Sequence, residues 1–269
     1  MGNIEMPNSR SYGVDAQGFI VTQVAESKIP LLYRPLIDDV KNTFRGLIGA
    51  HLHGIHIYGS VAAGLAKAPM SDLDVLIVLR HRPNEQLTLK IRNAEADLTQ
   101  TYAGLVREVG VGVTFLAEIE SDHHGIGCFL KHLCICVFGE KIQHSLPSFK
   151  PTRQVAKAFN GDFERVLEKY RYRVTAASPD ETPRLGHQIS RKFVRTGFSL
   201  VTAREKSWTT DPQMSCDAFA RHYPDKAADM QLALRFSGQP NIEKRELMAL
   251  LDGFGNWLAM EVEREFFGS

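Results

Sequence analysis

The first half of the chain alternates between helical and strand spacings of apolar residues. PLLYRPLIDDVKNTFRGLIGAHL places Leu36, Val40, Phe44 and Leu47 three or four positions apart, which predicts an amphipathic helix. Two apolar runs follow, GIHIYGS and DLDVLIVL, and both predict strands, the second one buried on both faces. A polar-apolar helix over residues 84–108 then leads to two further predicted strands, in VGVTFLAEI and in FLKHLCICVFGEKI. This alternation predicts a sheet flanked by helices.

After about Leu146 the periodicity is helical alone. The segment SLPSFKP predicts a linker because of its two prolines. Four later stretches carry apolar residues at helical spacing, and they begin with TRQVAKAFN, RLGHQISRKF, DAFARHYPDK and NIEKRELMAL. We therefore predict an α+β protein, with a mixed sheet and flanking helices in residues 1–146 and a helical bundle in residues 147–269.

Composition narrows the class of protein and its partners. Hydrophobic residues make up 43% of the chain and charged residues 23%, which is typical of a globular protein in water. The formal net charge is +1, which argues against a nucleic acid or an anionic membrane as partner. No apolar run approaches the roughly 18 residues that span a bilayer. The N-terminus lacks the apolar core of a signal peptide, and the four cysteines form no C-x-x-C pair, so we expect a cytoplasmic protein without a zinc site.

Two aspartates stand at the start of the second predicted strand. Asp72 and Asp74 are two residues apart, so in an extended chain both side chains leave the same face. Two adjacent carboxylates repel each other unless a cation offsets their charge. Magnesium is commonly held by one or two carboxylates together with substrate phosphates. The pair therefore indicates a magnesium site.

The turn formed by Gly59 and Ser60, just upstream, supplies a complementary feature. It leads from a predicted strand into a predicted helix of small residues that extends to Lys67 and is ended by Pro69. Glycine permits close backbone approach, and the amides at a helix N-terminus favour an anion. Alone, a D-x-D pair or a Gly-Ser turn most often belongs to an ordinary surface loop. In this order and spacing, they indicate a site for a nucleoside triphosphate with its magnesium.

The same stretch resembles the motif of a known superfamily. YGSVAAGLAKAPMSDLDVLIVL is similar to the G-S-x-x-x-G…S-D-x-D motif of the DNA polymerase β-like nucleotidyltransferases, and the matching positions are Gly59, Ser60, Gly64, Ser71, Asp72 and Asp74. Outside the motif, DAQGFIV…KIPLLYRPLIDDV and RKFVRTGFSLVTAREKSWTTDP resemble the bacterial aminoglycoside adenylyltransferase branch. In that branch, a nucleotidyltransferase domain precedes a helical domain.

This resemblance implies a function and assigns roles. The family transfers a nucleoside monophosphate to a hydroxyl and releases pyrophosphate. For this chain, the resemblance implies AMP from ATP, or the equivalent from another nucleoside triphosphate, and a small-molecule acceptor. Gly59 and Ser60 would bind the triphosphate. Asp72 and Asp74 would be the catalytic residues that hold magnesium, as one ion or two.

One position departs from the family pattern. The family has a third carboxylate on the strand after the long helix, and Gly112 occupies that position here. Glu118, Glu108 and Glu205 are the candidates for the base that deprotonates the acceptor. Without a base, the alternative is a catalytically weak nucleotide-binding protein of a regulatory or antitoxin-like kind. A transferase that modifies a protein or an RNA end is a further alternative.

A basic face is predicted on the helix that begins near Leu185. His187, Arg191 and Arg195 are four residues apart, so they share one face of a helix. Arg191 and Arg195 are therefore candidates for phosphate contacts from the helical domain. A solvated basic face is the plainer interpretation of the same spacing.

Overall fold

The computed structural model describes residues 12–238 and 242–268, and these divide into two compact units. The sheet unit spans residues 21–149, and the helical unit combines residues 12–20 with the chain from Lys150 onward. The structural division therefore falls between Phe149 and Lys150, whereas the sequence pattern places it between 146 and 147. The segment 12–20 groups with the helical unit, although the pattern assigns it to the first domain.

The sheet unit combines four strands with five α-helices among its described residues. In chain order these elements are α1 (Arg34–Ile48), β1 (Leu52–Tyr58), α2 (Gly59–Ala63), β2 (Leu73–Leu79), α3 (Glu85–Thr101), β3 (Val109–Phe115), α4 (Leu116–Ser121), α5 (Cys128–Leu133) and β4 (Ile135–Gly139). The strand order is β3-β2-β1-β4. Strands β2 and β3 are parallel and the other neighbours are antiparallel, which confirms the predicted mixed sheet.

The two faces of the sheet pack against different helices. Val75 and Ile77 of β2 are buried in one cluster with residues of α1 and α3, whereas Leu76 and Val78 pack with residues of α4 and α5. Side chains alternate along a strand, so Asp74 lies on the same face as Leu76 and Val78. The predicted site residue Asp74 therefore belongs to the face that α4 and α5 cover.

Two elements of the sheet unit differ from the sequence prediction. The helix after the Gly-Ser turn ends at Ala63, because Gly64 takes a left-handed conformation with φ of 75° and caps it. The third strand ends at Phe115, and the next residues form α4. Glu118, which the sequence pattern assigns to the strand in VGVTFLAEI, therefore lies in a helix.

The helical unit has no β-strand among its described residues, which agrees with the predicted bundle. Its helices are α6 (Arg153–Asn160), α7 (Phe163–Ala176), α8 (Thr182–Glu205), α9 (Pro212–His222), α10 (Ala227–Arg235), α11 (Lys244–Leu250) and α12 (Asn256–Phe267). Helix α8 lies at the centre of the packing, with Ile189, Phe193 and Val201 fully buried. Within the described ranges, no helix has both the length and the apolar character needed to cross a membrane.

The segment 12–20 is tied to the chain just after α8. The backbone N–H of Tyr12 donates to Ser207 Oγ at 3.1 Å. The backbone N–H of Trp208 donates to the carbonyl oxygen of Tyr12 at 2.9 Å. Both ends of the described chain therefore contribute to the helical unit.

Candidate functional site

The turn from β1 into α2 lies directly against the carboxylate of Asp74. Tyr58, the last residue of β1, pairs with Asp74 across the sheet, and Gly59 follows it with φ of +69°. A Cβ atom on Gly59 would lie 2.0 Å from Asp74 Oδ2, closer than any real contact. Glycine is required here by both the backbone conformation and the approach of the carboxylate. The Gly-Ser turn and Asp74 therefore form one packed feature.

Ser60 lies in the first turn of the short helix α2. It is half-buried, and its carbonyl oxygen accepts a hydrogen bond from the backbone N–H of Leu65 at 2.8 Å. The first N–H groups of a helix have no partner within that helix, and such groups bind phosphate in many proteins. The turn therefore places backbone N–H groups that could bind a phosphate beside the carboxylate of Asp74.

Asp72 immediately precedes β2 and is held by an arginine. Arg107 Nε donates to Asp72 Oδ1 at 2.9 Å, and Arg107 Nη2 donates to Oδ2 at 2.6 Å. The side chain of Asp72 is 19% exposed and that of Arg107 is 43% exposed. Both oxygens of Asp72 therefore accept a bond from the same guanidinium, in the bidentate geometry that is among the stronger ion-pair arrangements.

The backbone around Asp72 explains how Arg107 reaches it. The N–H of Arg107 donates to the carbonyl oxygen of Ser71 at 3.1 Å, and the N–H of Leu73 donates to that of Glu108 at 2.9 Å. Two residues, Arg107 and Glu108, therefore lie opposite the single residue Asp72, as in a β-bulge. Bulges redirect side chains and are frequent beside active sites.

An aromatic pair and a buried cysteine lie near Asp74. The ring of Tyr58 packs edge-on against Phe129 of α5, with ring centroids 4.9 Å apart. Cys134 is buried on the same face, and burial, followed by the charge of Asp74, raises the pKa of its thiol well above the ordinary value. Cys134 is therefore a neutral packing residue beside Asp74 at neutral pH.

The donor set of the aspartate pair suits magnesium. Carboxylate oxygens are hard ligands, and two carboxylates match the number that magnesium takes from a protein when substrate phosphates supply the remainder. The cradle that Gly59 leaves for Asp74 Oδ2 is compatible with this use. No three His, Cys, Asp or Glu side chains converge on a metal position within residues 12–238 and 242–268. The described residues therefore fit a magnesium site with two carboxylates, Asp72 and Asp74, in which Asp72 is bonded to Arg107.

The position expected for a third carboxylate is Gly112. It pairs with Leu76 on β2, and a Cβ atom there would lie 3.3 Å from Leu76 Cδ1, the mobile end of a side chain. Glu118, by contrast, accepts a hydrogen bond from Thr114 Oγ1 at 2.9 Å. Thr114 pairs with Val78, which is roughly 13 Å along the strand from Asp74. Glu108 has its backbone opposite Asp72 and is the nearer candidate.

The other predicted site residues lie in the helical unit. Arg191 is half-buried and Arg195 is exposed, both on α8. His187, on the same predicted face, has its Nδ1 2.9 Å from the carbonyl oxygen of Ser237. The candidate base Glu205, only 6% exposed, is bonded to Arg221 Nη2 and His222 Nε2. The carboxylate of Glu205 therefore forms ion pairs within the helical unit.

A comparison with protein families decides the class of the sheet unit. Residues 38–125 match the family model described as "Nucleotidyltransferase domain". Residues 38–125 of this chain are therefore similar to a nucleotidyltransferase domain. The matched segment begins within α1 and includes β1, β2 and β3. The motif-based resemblance to the nucleotidyltransferase superfamily is thereby confirmed.

A solved structure shares the fold of the nucleotidyltransferase domain and the helices that follow it. It is described as spectinomycin adenyltransferase AAD(9) from Enterococcus faecialis with ATP and spectinomycin. The match has a TM-score of 0.56 at 14% sequence identity, and it covers 86% of this chain and 99% of that chain. At this identity the likeness concerns the fold alone. A search of curated protein sequences found no significant match.

Within the sheet unit, the structure adds residues to those the motif identifies. Tyr58 and Cys134 adjoin Asp74, and Arg107 binds Asp72. A basic residue between a helix and a strand is common in soluble proteins, so nothing in the sequence singles out Arg107. The bulge opposite Asp72 is visible only once the two chain segments are paired.

Proposed function

We propose that this protein transfers a nucleoside monophosphate, AMP from ATP in the first instance, to a hydroxyl of a small-molecule acceptor and releases pyrophosphate. The observation that carries this proposal is the close packing of the Gly59 turn against Asp74 inside a nucleotidyltransferase domain. Support for the nucleotide and for a small acceptor comes from the adenyltransferase of similar fold, which was solved with ATP and spectinomycin.

In this proposal, residues of the sheet unit bind both the triphosphate and the magnesium. The backbone at Gly59 and Ser60 binds the triphosphate, and Asp72 and Asp74 hold one magnesium ion or two. Bound magnesium would offset the charge of the phosphates and of the departing pyrophosphate. Arg191 and Arg195 are proposed to contribute phosphate contacts from α8.

The acceptor hydroxyl must lose its proton to a nearby base. We propose Glu108 for this role, because its backbone lies opposite Asp72 while Glu118 is bonded to Thr114 farther along the sheet. Glu205 is already bonded to two basic side chains.

The test is pyrophosphate release from each of the four nucleoside triphosphates over a panel of hydroxylated small molecules. With the productive pair, Asp72→Asn and Asp74→Asn should each lower the rate at least about a hundredfold, since each removes a charge that the transition state needs. Asp38→Asn is the matched control, because Asp38 pairs with Lys41 on the surface of α1.

Two results would count against the proposal. Wild-type rates in both Asp72→Asn and Asp74→Asn would exclude them as metal-binding catalytic residues. Tight binding of ATP with magnesium but no pyrophosphate release with any acceptor would instead favour the catalytically weak, nucleotide-binding regulatory protein.

A further inference from the structure

We infer that Arg107 serves as an internal counter-ion of Asp72, which a divalent cation must displace in order to bind. This inference rests on the proposed function, because it takes Asp72 and Asp74 to be the metal-holding pair. Arg107 would be a positioning residue, which affects metal binding through its contact with Asp72.

The hydrogen bonds of the pair carry the inference. Arg107 Nε and Nη2 contact Oδ1 and Oδ2 of Asp72 at 2.9 and 2.6 Å. A cation that approaches either oxygen therefore meets a positive charge already bound there. Like charges at such separation oppose each other, so the guanidinium and the metal ion compete for the same carboxylate.

The backbone shows that this ion pair is built into the fold. Arg107 is anchored by its own N–H on Ser71, the neighbour of Asp72, and it belongs to the bulge that lies opposite Asp72. An ion pair between two mobile surface side chains would lack such an anchor. The bulge instead fixes the starting point of the arginine side chain beside its partner.

The exposure of the pair makes exchange feasible. Asp72 is 19% exposed and Arg107 is 43% exposed, so the guanidinium can move into water when it leaves the carboxylate. A fully buried charge pair would oppose such a separation strongly. In the absence of a cation, the same guanidinium offsets the repulsion between Asp72 and Asp74.

The experiment measures binding of Mn²⁺ to the full chain without nucleotide, from the electron paramagnetic resonance of the free ion. Arg107→Gln should bind Mn²⁺ about two- to fivefold more tightly than wild type, the size expected for loss of a partly exposed ion pair. Arg107→Lys should bind with intermediate affinity. Arg80→Gln is the matched control, because Arg80 pairs with Glu140 in the same unit.

A double variant separates competition from a general effect on folding. In the Asp72→Asn background, Arg107→Gln should no longer tighten Mn²⁺ binding, because the carboxylate for which the two cations compete is gone. A measurement on the unaltered protein is independent of folding changes. The Nε–H resonance of Arg107 should shift when Mg²⁺ is added, and that of Arg80 should not.

The outcomes distinguish this inference from the proposed function. Equal Mn²⁺ affinity in wild type and both Arg107 variants, together with weaker binding in Asp72→Asn, would overturn the inference and leave the metal site standing. Absence of Mn²⁺ binding to wild type and to Arg107→Gln alike would overturn the metal site and the inference together. An unmoved Arg107 resonance at saturating Mg²⁺ would also overturn the inference.

Discussion

Gly59 has no side chain, and the carboxylate of Asp74 lies where one would be. The backbone there has φ of +69°, which ordinary residues adopt at a cost of roughly 1–2 kcal/mol. The contact with Asp74 Oδ2 adds a steric reason of its own. A single position thus sets both the path of the turn and the place of the carboxylate.

Replacing Gly59 by alanine should therefore do more than strain the backbone. We expect Gly59→Ala to displace Asp74 and to weaken binding of ATP with magnesium at least about tenfold, the equivalent of one charge-assisted hydrogen bond. Calorimetry measures the affinity, and urea unfolding measures the stability. Gly49→Ala is the control, because Gly49 also has a positive φ but its Cβ would meet nothing within 4 Å. Equal nucleotide affinity in the two variants would contradict the role assigned to Gly59.

For single residues, the sequence predicts those of the motif but not the side chains that contact them. Gly59, Ser60, Asp72 and Asp74 follow from chemistry and spacing within a short stretch. Arg107 does not, because its contact with Asp72 depends on the register between segments 35 residues apart. Local patterns do not specify such a register to a single residue.

The strand β3 limits which side chains lie beside Asp74 on the sheet. Gly110 pairs with Asp74 and Gly112 with Leu76, so the strand presents no side chain beside the aspartate face at those two positions. Strand β3 then ends at Phe115, where α4 begins and takes Glu118 with it. Just before β3, the carbonyl oxygen of Glu108 accepts a hydrogen bond from the N–H of Leu73, which places the backbone of Glu108 opposite Asp72.

One substitution just before β3 and one within it test the proposed assignment of the base. Glu108→Gln should lower kcat by about 10²–10⁴-fold with little change in KM for the nucleotide, as expected for loss of a base. Adding Gly112→Glu should restore part of the rate, because its Cβ would meet the flexible end of Leu76 at 3.3 Å and the carbonyl oxygen of Val75 at an ordinary contact distance of 3.7 Å. Glu120→Gln, at an exposed position of α4, serves as the control. Full activity of Glu108→Gln would assign the base to another residue.

Elements follow from the sequence more reliably than their ends do. The four strands and the helical second half agree with the apolar periodicity. The predicted C-terminal ends of α2 and β3 were wrong. Helix α2 ends at the left-handed Gly64, and the chain enters α4 directly after Phe115. Apolar spacing is nearly the same on both sides of the boundary between β3 and α4, so the pattern alone cannot locate it.

For the whole molecule, two buried histidines couple stability to pH. His56 is fully buried in β1, and burial lowers its pKa to about 4. His132 in α5 accepts a hydrogen bond from the backbone N–H of Phe149 at 3.0 Å, and burial likewise lowers its pKa to about 4. Both belong to the sheet unit and are neutral in the folded state at neutral pH.

Acidification from pH 6.5 to about 4 should therefore destabilise the protein. An unfolded histidine has a pKa near 6.5, so between pH 6.5 and about 4 the unfolded state binds the proton and the folded state does not. Each histidine should lower the free energy of unfolding by about 1.4 kcal/mol per pH unit across that window. Below about pH 4, the two histidines should no longer make the free energy of unfolding depend on pH.

Urea unfolding followed by circular dichroism at a series of pH values measures this slope. His56→Leu should reduce the slope by the contribution of one proton, and His81→Leu, at an exposed position, should leave it unchanged. Hydrogen exchange of peptides from residues 21–149 should locate the loss of protection in the sheet unit. A slope in His56→Leu identical to that of wild type would show that His56 does not remain neutral in the folded state.

The bonds between Tyr12 and the chain after α8 have a consequence for synthesis on the ribosome. Tyr12 and Ser207 are 195 residues apart in the chain. At about 5–20 residues per second, the N-terminal segment waits roughly 10–40 s for its partner to be translated. All segments of the sheet unit are synthesised within that interval. The segment 12–20 thus remains without its native contact while the sheet unit is synthesised, and the helical unit is completed after the sheet unit.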